Sequence, residues 1–364
     1  MPIVYVNETK REKTSTTEII KTTTTELIAT KTTTTTTNTT TTTATTTITT
    51  TTISEQLIPS VSINNNTQWK QYASTIAGGN GRGNKSNQLD QPRGIYVDND
   101  DDSIYIADTG NDRIVKWEFG AKNGTVVAGG NGRGRAIDQL ADPIDITLDK
   151  EKKYLIICDQ RNNRVVRWSL QNSQNPQVLI DRIVCWGLAM DNTGDLYICD
   201  WSSQEVRRWR QGDKQGTLVA GGHGEGNQLY QFYEPGYIFV DEYHSVYVAD
   251  QRNDRVMKWT KNTTEGILVA PGQVSSGNPN SLLRPSGVIV DQMGNIYVSK
   301  AISHQITRWS PGATEGAPIV GEKNHGGGPT QLIFPDDLSF DRHGNLYVVD
   351  TSNHRIQKFV IDLD

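Results

Sequence analysis

The sequence has few cysteines and no long apolar run. Three cysteines, Cys158, Cys185 and Cys199, occur among 364 residues, so at least one thiol stays unpaired within the molecule and a disulfide scaffold is excluded. No stretch approaches the roughly eighteen apolar residues that span a bilayer, so no membrane-spanning segment is expected. Met1–Lys13 also lacks the features of a signal peptide, because its apolar run is short and its basic residues follow that run.

Strong net charge is absent as well. The formal net charge of -5 argues against a surface that is basic throughout, as a dedicated nucleic-acid or heparin binder would have. A local basic patch survives this average, so RNA binding remains an alternative to be tested.

A threonine tract occupies the N-terminal region. Residues 32–52 are all threonine except Asn38, Ala44 and Ile48, and such a sequence buries too little apolar area to offset its ordering entropy. We therefore expect residues 1–68 to form a disordered Thr-rich tail. The tract, typical of O-glycosylated stalks, and six N-x-S/T sequons (Asn7, Asn38, Asn65, Asn84, Asn123 and Asn262) favour an extracellular setting and a glycoprotein. The lack of a signal peptide argues against that setting.

The rest of the chain, residues 69–364, is repetitive. Tyr105–Trp117 returns with small changes at Leu155–Trp168 and Tyr247–Trp259, and weaker copies follow the same spacing. The closing aromatics lie 41 to 51 residues apart, at Trp117, Trp168, Trp209, Trp259, Trp309 and Phe359. A period near fifty, built of short β-rich runs and Gly/Asn turns, predicts an all-β propeller with six four-stranded antiparallel blades.

Counting strands predicts how the ring closes. The sixth unit stops after its third strand, whereas Tyr72–Gly79 has the pattern of a fourth strand with no first three strands before it. Pairing the two ends completes one blade and removes an open sheet edge. We therefore expect one closed propeller, a monomer, that begins near Trp69.

At this point the sequence resembles the NHL-repeat family. The family's core Tyr-Val-Ala-Asp-x-x-Asn-His-Arg-Ile-x-x-Trp stands almost intact at Tyr347–Phe359, and all six units share it. The resemblance implies a β-propeller. Six-bladed relatives include lactonases and amidating lyases with a channel metal, but their fuller set of acids or histidines is not matched here.

The repeated polar residues have a structural explanation. Asp108, Asp159, Asp200, Asp250 and Asp350 each precede a tight turn, where a short carboxylate accepts backbone N–H groups. In four blades an arginine five residues later, Arg113, Arg164, Arg255 or Arg355, can pair with it. Cys158 and Cys199 stand directly before two of these aspartates. We interpret both cysteines as small buried side chains, with a redox or metal role as the alternative.

A binding site needs residues that differ between blades, and the starts of the innermost strands supply them. The candidates there are Arg93, Asp145, Trp186, Tyr237, Asp336 and Asp337. The loops after the fourth strands share this rim, and the connection Asp181–Cys185 is about ten residues shorter than the others, which predicts a notch on one side.

The leading hypothesis is a non-enzymatic recognition or scaffold module that binds a protein, glycan or other ligand through variable rim loops. No cofactor is required for that function. The alternative is a metal-dependent hydrolase or lyase that uses Asp145, Asp336 and Asp337, with calcium as the metal suited to such oxygen ligands. The third hypothesis is single-stranded RNA binding.

Overall fold

The computed structural model describes residues 63–64, 66–171, 176–272 and 282–363. The tail predicted for residues 1–68 therefore lies almost wholly outside the described residues, as do its threonine tract and the sequons Asn7, Asn38 and Asn65. No helix in the described ranges is both long and apolar enough to cross a membrane.

The described residues form short strands, as the β-rich repeats predict. The first half of the chain contains β1 (Gln68–Trp69), β2 (Ser74–Gly78), β3 (Ile95–Val97), β4 (Ile104–Asp108), β5 (Arg113–Trp117), β6 (Thr125–Gly129), β7 (Pro143–Leu148), β8 (Tyr154–Asp159), β9 (Arg164–Ser169), β10 (Gln177–Asp181), β11 (Cys185–Met190), β12 (Leu196–Asp200), β13 (Glu205–Trp209) and β14 (Thr217–Gly221).

The second half continues the same pattern. It contains β15 (Pro235–Val240), β16 (Val246–Asp250), β17 (Arg255–Trp259), β18 (Ile267–Ala270), β19 (Pro285–Val290), β20 (Ile296–Lys300), β21 (Gln305–Trp309), β22 (Ala317–Val320), β23 (Pro335–Phe340), β24 (Leu346–Asp350), β25 (Arg355–Phe359) and β26 (Ile361–Asp362). One-turn 3-10 helices follow four of the second strands, at Thr109–Asn111, Gln160–Asn162, Gln251–Asn253 and Thr351–Asn353.

These strands make six antiparallel four-stranded blades, which confirms the predicted architecture. Blade 1 is β3 to β6, blade 2 is β7 to β10, and blades 3 to 5 continue in the same way up to β22. Blade 6 consists of β23, β24 and β25, with β2 as its outer strand. Ser74 pairs with Lys358 and Gly78 pairs with Arg355, so the closure between the two ends of the chain is also confirmed.

A second closure was not predicted. The short strands β1 and β26 pair with each other outside the six blades. Trp69 of β1 is buried and donates its indole N–H to the carbonyl of Gly344 at 2.9 Å. Ile63, upstream of the expected domain start, is buried in the same cluster, so the propeller body begins at least six residues earlier than Trp69.

The apolar core lies between the blades. Six clusters of buried residues each join two neighbouring blades, and each closing aromatic of a third strand packs in one of them. The space between two neighbouring blades widens outward, and the large aromatic rings fill it. Their burial stabilises the packing of one blade on the next.

The aspartates before the tight turns are structural, as predicted. Asp108 accepts the backbone N–H of Asp90 and the Nε–H of Arg113, each at 2.7 Å. The rest of the Arg113 guanidinium donates to carbonyls of the loop that precedes the blade, including those of Asn84 and Gln88. The same Asp–Arg pair recurs in blades 2, 4 and 6, so each of these pairs fastens a rim loop to its blade.

The structure corrects the interpretation of one cysteine. Cys158 is not an isolated buried thiol, because it forms a disulfide with Cys185, while Cys199 remains free and buried.

The acidic hairpin turn Asp98–Ser103 joins blade 1 to both of its neighbours. Lys152 of blade 2 contacts Asp98, and Arg342 of blade 6 contacts Asp102 at 3.0 Å.

Candidate binding site at the channel mouth

The six innermost strands start side by side around the propeller axis. Four of these strands begin at a proline, β3 begins three residues after Pro92, and β11 begins at Cys185. The two residues that follow each proline, or Cys185, hold equivalent places in the six blades. In blade order the first place holds Arg93, Ile144, Trp186, Gly236, Ser286 and Asp336. The second place holds Gly94, Asp145, Gly187, Tyr237, Gly287 and Asp337.

Glycine alternates with a larger residue in the second place. A Cβ added to Gly94 would lie 2.8 Å from the Cα of Asp145, and one added to Gly187 would lie 2.7 Å from the Cα of Tyr237. Neighbouring strands therefore approach too closely for two side chains. Glycine in every second blade makes room for the side chains of the other three, and we call Asp145, Tyr237 and Asp337 the channel floor.

Tyr237 reaches past blade 3 within this floor. Its side chain starts on blade 4 and its hydroxyl donates to the carbonyl of Ile144 on blade 2, at 3.5 Å. Only 2% of Tyr237 is exposed. Its ring is therefore buried among the inner strands.

The two floor carboxylates bind backbone amides of their neighbours. Asp145 accepts the N–H of Leu188 from blade 3 at 2.7 Å, and Asp337 accepts the N–H of Ile95 from blade 1 at 3.0 Å. Burial raises the pKa of Asp145 to about 7, and the charge of Asp336 adds to this shift. Burial also raises the pKa of Asp337 well above its ordinary value, with the charge of Asp145 as the next cause.

Above the floor lies a second set of side chains, Arg93, Trp186, Trp201 and Asp336, which we call the mouth group. Arg93 contacts Asp336 at 3.1 Å, and this carboxylate raises the pKa of Arg93. The guanidinium lies 5.5 Å from the ring centre of Trp186, which in turn stacks on Trp201 at 6.5 Å. The mouth group thus offers an aromatic face beside one positive and one negative charge.

The structure divides the six predicted site residues by their contacts. Arg93, Trp186 and Asp336 belong to the mouth group, whereas Asp145, Tyr237 and Asp337 form the floor. Asp336 and Asp337 are equally buried, each with 8% exposed. Trp201 was missed by sequence reasoning, because it stands in a turn of blade 3 where its contact with Trp186 becomes evident only in three dimensions.

A further ring around the mouth was also missed. Five residues just before the innermost strands have left-handed backbones with φ between 46° and 51°: Gln91, Asp142, Glu234, Arg284 and Phe334. This conformation is costly for residues other than glycine. Their N–H groups are held by side chains of the preceding blade, for example Asp254 for Arg284 and the Nδ1 atom of His304 for Phe334. Each of the five residues directly precedes the proline at the start of an innermost strand, so these prolines could have marked the ring in the sequence.

Comparison with known proteins identifies the repeat. A family model described as the NHL repeat matches residues 89–117 and 332–359, which lie in blades 1 and 6 of the six-bladed ring. The chain is a six-bladed β-propeller that carries NHL repeats. No curated protein sequence matches it.

Solved structures similar to this NHL propeller differ in function. An auxiliary nutrient binding protein from Bacteroides thetaiotaomicron is 14% identical, with a TM-score of 0.62 over 81% of this chain and 77% of its own. A gluconolactonase from Xanthomonas campestris is 12% identical, with a TM-score of 0.57 over 76% and 88%. A streptogramin B lyase is 12% identical, with a TM-score of 0.54 over 80% and 98%. At these identities the likeness shows the fold alone.

The three carboxylates at the channel are all engaged in hydrogen bonds. Both oxygens of Asp145 and of Asp337 accept backbone N–H groups. Those of Asp336 are engaged by Arg93 and by the hydroxyl of Ser286. Within the described ranges, no group of three or more histidine, cysteine, aspartate or glutamate residues is arranged to hold a metal ion. The three acids therefore serve to join the inner strands.

Proposed function

We propose that this NHL propeller is a non-enzymatic recognition module whose ligand binds over the channel mouth. The observation that carries the proposal is a group of unlike side chains at the channel mouth. Tyr237 is buried in the floor, and the mouth group combines stacked indoles with the pair of Arg93 and Asp336. A group of this kind suits binding of a surface or a chain end.

A protein or glycan ligand fits the mouth group best. Indole faces pack against sugar rings or apolar side chains, and a guanidinium beside a carboxylate offers donors and acceptors in fixed positions. The ring around the mouth carries Asp142, Glu234 and Arg284, so its charges are mixed. Single-stranded RNA would require a predominantly basic track, which the mixed charges of these described residues do not favour.

Binding measurements with point variants test this proposal. The full chain is screened on a glycan array and against immobilised extracellular proteins, and each ligand found is titrated against Trp186→Ala and Arg93→Ala. We expect each substitution to weaken binding by about tenfold or more, because indole and guanidinium groups dominate recognition surfaces. Tyr243→Ala is the matched control, since Tyr243 is exposed in a hairpin turn on the opposite rim. Unchanged affinity of both mouth variants for every ligand would refute the proposed site.

We propose an extracellular setting for the same reasons that favoured it in the sequence, with the disulfide as further support. Structural disulfides persist in oxidising compartments. The described sequons Asn84, Asn123 and Asn262 are all exposed, so they are accessible to glycosylation. Mass spectrometry of protein secreted from eukaryotic cells tests this, because unmodified asparagines at all three positions would count against it.

The enzymatic alternative has a direct discriminator. A hydrolase or lyase with a channel metal requires a bound ion, so elemental analysis of the purified protein separates the two hypotheses. Stoichiometric calcium or another metal, lost together with a catalysed reaction on Asp336→Asn, would favour the enzyme. A metal-free protein that still binds its ligand would favour recognition.

A further inference from the structure

The wedges between blades are filled by the rim loops. Five of these loops each insert one fully buried apolar side chain into an interblade cluster: Leu89, Leu140, Phe232, Leu282 and Leu332. Phe232 packs at 4.7 Å from the ring of Trp259, the closing aromatic of the next blade. A loop segment thereby supplies the outer part of the apolar core.

The wedge between blades 2 and 3 lacks this segment. Strand β10 ends at Asp181 and β11 begins at Cys185, and the short connection inserts only Ile183. Trp209 consequently remains partly exposed, whereas the closing aromatics of the other five blades are buried. Leu179 of the outer strand is 43% exposed, although the equivalent Val127 and Val269 pack against their clusters.

A groove of about 490 Å³ results. Its apolar lining includes Tyr154, Leu179, Ile180, Met190 and Trp209, and we call it the blade 2–3 groove. It opens along the side of the ring, whereas the notch was expected on the loop rim. It shares no residue with the mouth group.

The polar contacts that hold the rim loops in other wedges are different at the wedge between blades 2 and 3. Gly124 donates its N–H to the carbonyl of Ser86, and Gly266 donates to that of Leu229, both in rim loops. Gly216 holds the same place in blade 3, and no carbonyl of the described residues accepts its N–H. The arginine that binds loop carbonyls in blades 1, 2, 4 and 6 is replaced by Glu205, which pairs with Arg207.

We propose that the blade 2–3 groove binds an extended peptide segment of a partner protein, with a leucine or phenylalanine side chain inserted against Trp209. In the other five wedges a rim loop inserts one apolar side chain in this way, so the chain itself shows how such a residue packs. The remaining lining is balanced in charge, with four acidic residues (Asp149, Glu151, Asp195, Asp213) and four basic residues (Lys150, Lys153, Arg167, Arg210). A balanced groove favours a peptide over a polyanion such as RNA.

A peptide copied from this chain serves as the probe. A fluorescein-labelled peptide with the sequence of residues 222–234 contains Leu229 and Phe232, and its binding to the full chain is measured by fluorescence anisotropy. We expect saturable binding below about 1 mM. The same peptide with Phe232→Ser is the ligand control, since it lacks the anchoring ring.

Two protein variants of similar exposure locate the site. Leu179→Glu places a charge in the groove and should weaken binding at least about tenfold. Leu268→Glu is the matched control, because Leu268 is 45% exposed on the outer strand of blade 4 and should leave affinity unchanged. No saturable binding, equal affinity of the Leu179→Glu variant, or displacement of the peptide by oligouridine would overturn the proposal. Variants of the mouth group should bind the peptide normally, so this test is independent of the proposed function.

Discussion

Removal of residues 1–80 is expected to abolish cooperative unfolding, whereas removal of residues 1–60 should leave stability unchanged. The longer deletion removes β2, the outer strand of blade 6, and exposes the edge of β25. It also removes Trp69, which is 2% exposed and lies between blades 5 and 6. The contacts of the N-terminal segment seen in the described residues begin at Ile63, so the shorter deletion spares all of them.

The magnitude follows from these contacts. Four residue pairs join β2 to β25, and each ladder hydrogen bond contributes about 0.5 to 1.5 kcal/mol net. Loss of a buried tryptophan costs about 3 to 5 kcal/mol. The combined loss of about 5 to 11 kcal/mol is comparable with the whole stability of a typical domain.

Thermal unfolding followed by circular dichroism provides the assay, with size-exclusion chromatography to detect aggregation. Trp69→Ala in the full chain should lower the free energy of unfolding by about 3 to 5 kcal/mol. Tyr72→Ala is the control, because Tyr72 is 75% exposed and its loss should change little. Equal melting of the two deletion variants would refute the closure and the count of six blades.

Three further predictions concern buried polar and sulfur groups. Cys158→Ser should lower the free energy of unfolding by about 3 to 4 kcal/mol, as expected for a disulfide that closes a loop of this size. His304→Leu should cost about 1 kcal/mol, because the N–H of Phe334 loses its acceptor. Between about pH 4 and 7 the stability of the protein should fall as the pH rises, owing to the raised pKa of Asp145.

The Cys158 and His304 predictions each have a control variant. Cys199→Ser leaves the disulfide intact, so reductant should destabilise this variant as it does the parent protein. Cys158→Ser has no disulfide to reduce, so a loss of stability in reductant equal to that of the parent protein would contradict the first prediction. His304→Asp keeps an acceptor like Asp254 in the next blade upstream, so a loss equal to that of His304→Leu would contradict the second. Burial and the neighbouring His325 lower the pKa of His304. Its contribution is therefore complete above about pH 6.5 and declines as the pH falls through its folded pKa.

The topology was predictable because propeller blades are local units. Each blade is a chain of three hairpins whose turns and closing aromatic lie within fifty residues, so the repeat shows every blade directly. The last blade has no fourth strand after Phe359, and Ser74–Gly78 is a strand without a blade. Pairing these two segments is the arrangement that completes six blades. The extra pair of β1 and β26 has only two residues on each side, too few for an alternating pattern to reveal.

The site was only partly predictable, since it depends on contacts between blades. Alignment of the repeats found all six candidates around the channel, but their depth was not evident. The alternation of Gly94, Asp145 and Gly187 was visible in the sequence, yet its meaning depends on how closely the inner strands approach. Likewise Cys158 and Cys185 hold different places in their repeats, and only the ring brings their Cα atoms to 5.8 Å.

The pH dependence of the channel floor tests its role most directly. The charged and titratable neighbours of Asp145 are Asp337, Asp336 and Tyr237. Arg93 is paired with Asp336. A carboxyl group whose folded pKa lies above its unfolded pKa of about 3.8 binds more protons when folded. Its stabilising contribution is therefore present at low pH and is lost as the pH rises through about 7.

Asp145→Asn removes this titration. The amide cannot accept both N–H groups of Ile146 and Leu188, so the variant should be less stable at acidic pH. Its stability should nevertheless change less between pH 4 and 7 than that of the parent protein, and the slope of the free energy of unfolding against pH is the quantity to measure in urea titrations. An unchanged slope in the Asp145→Asn variant would mean that the floor carboxyl is ionised throughout this pH range.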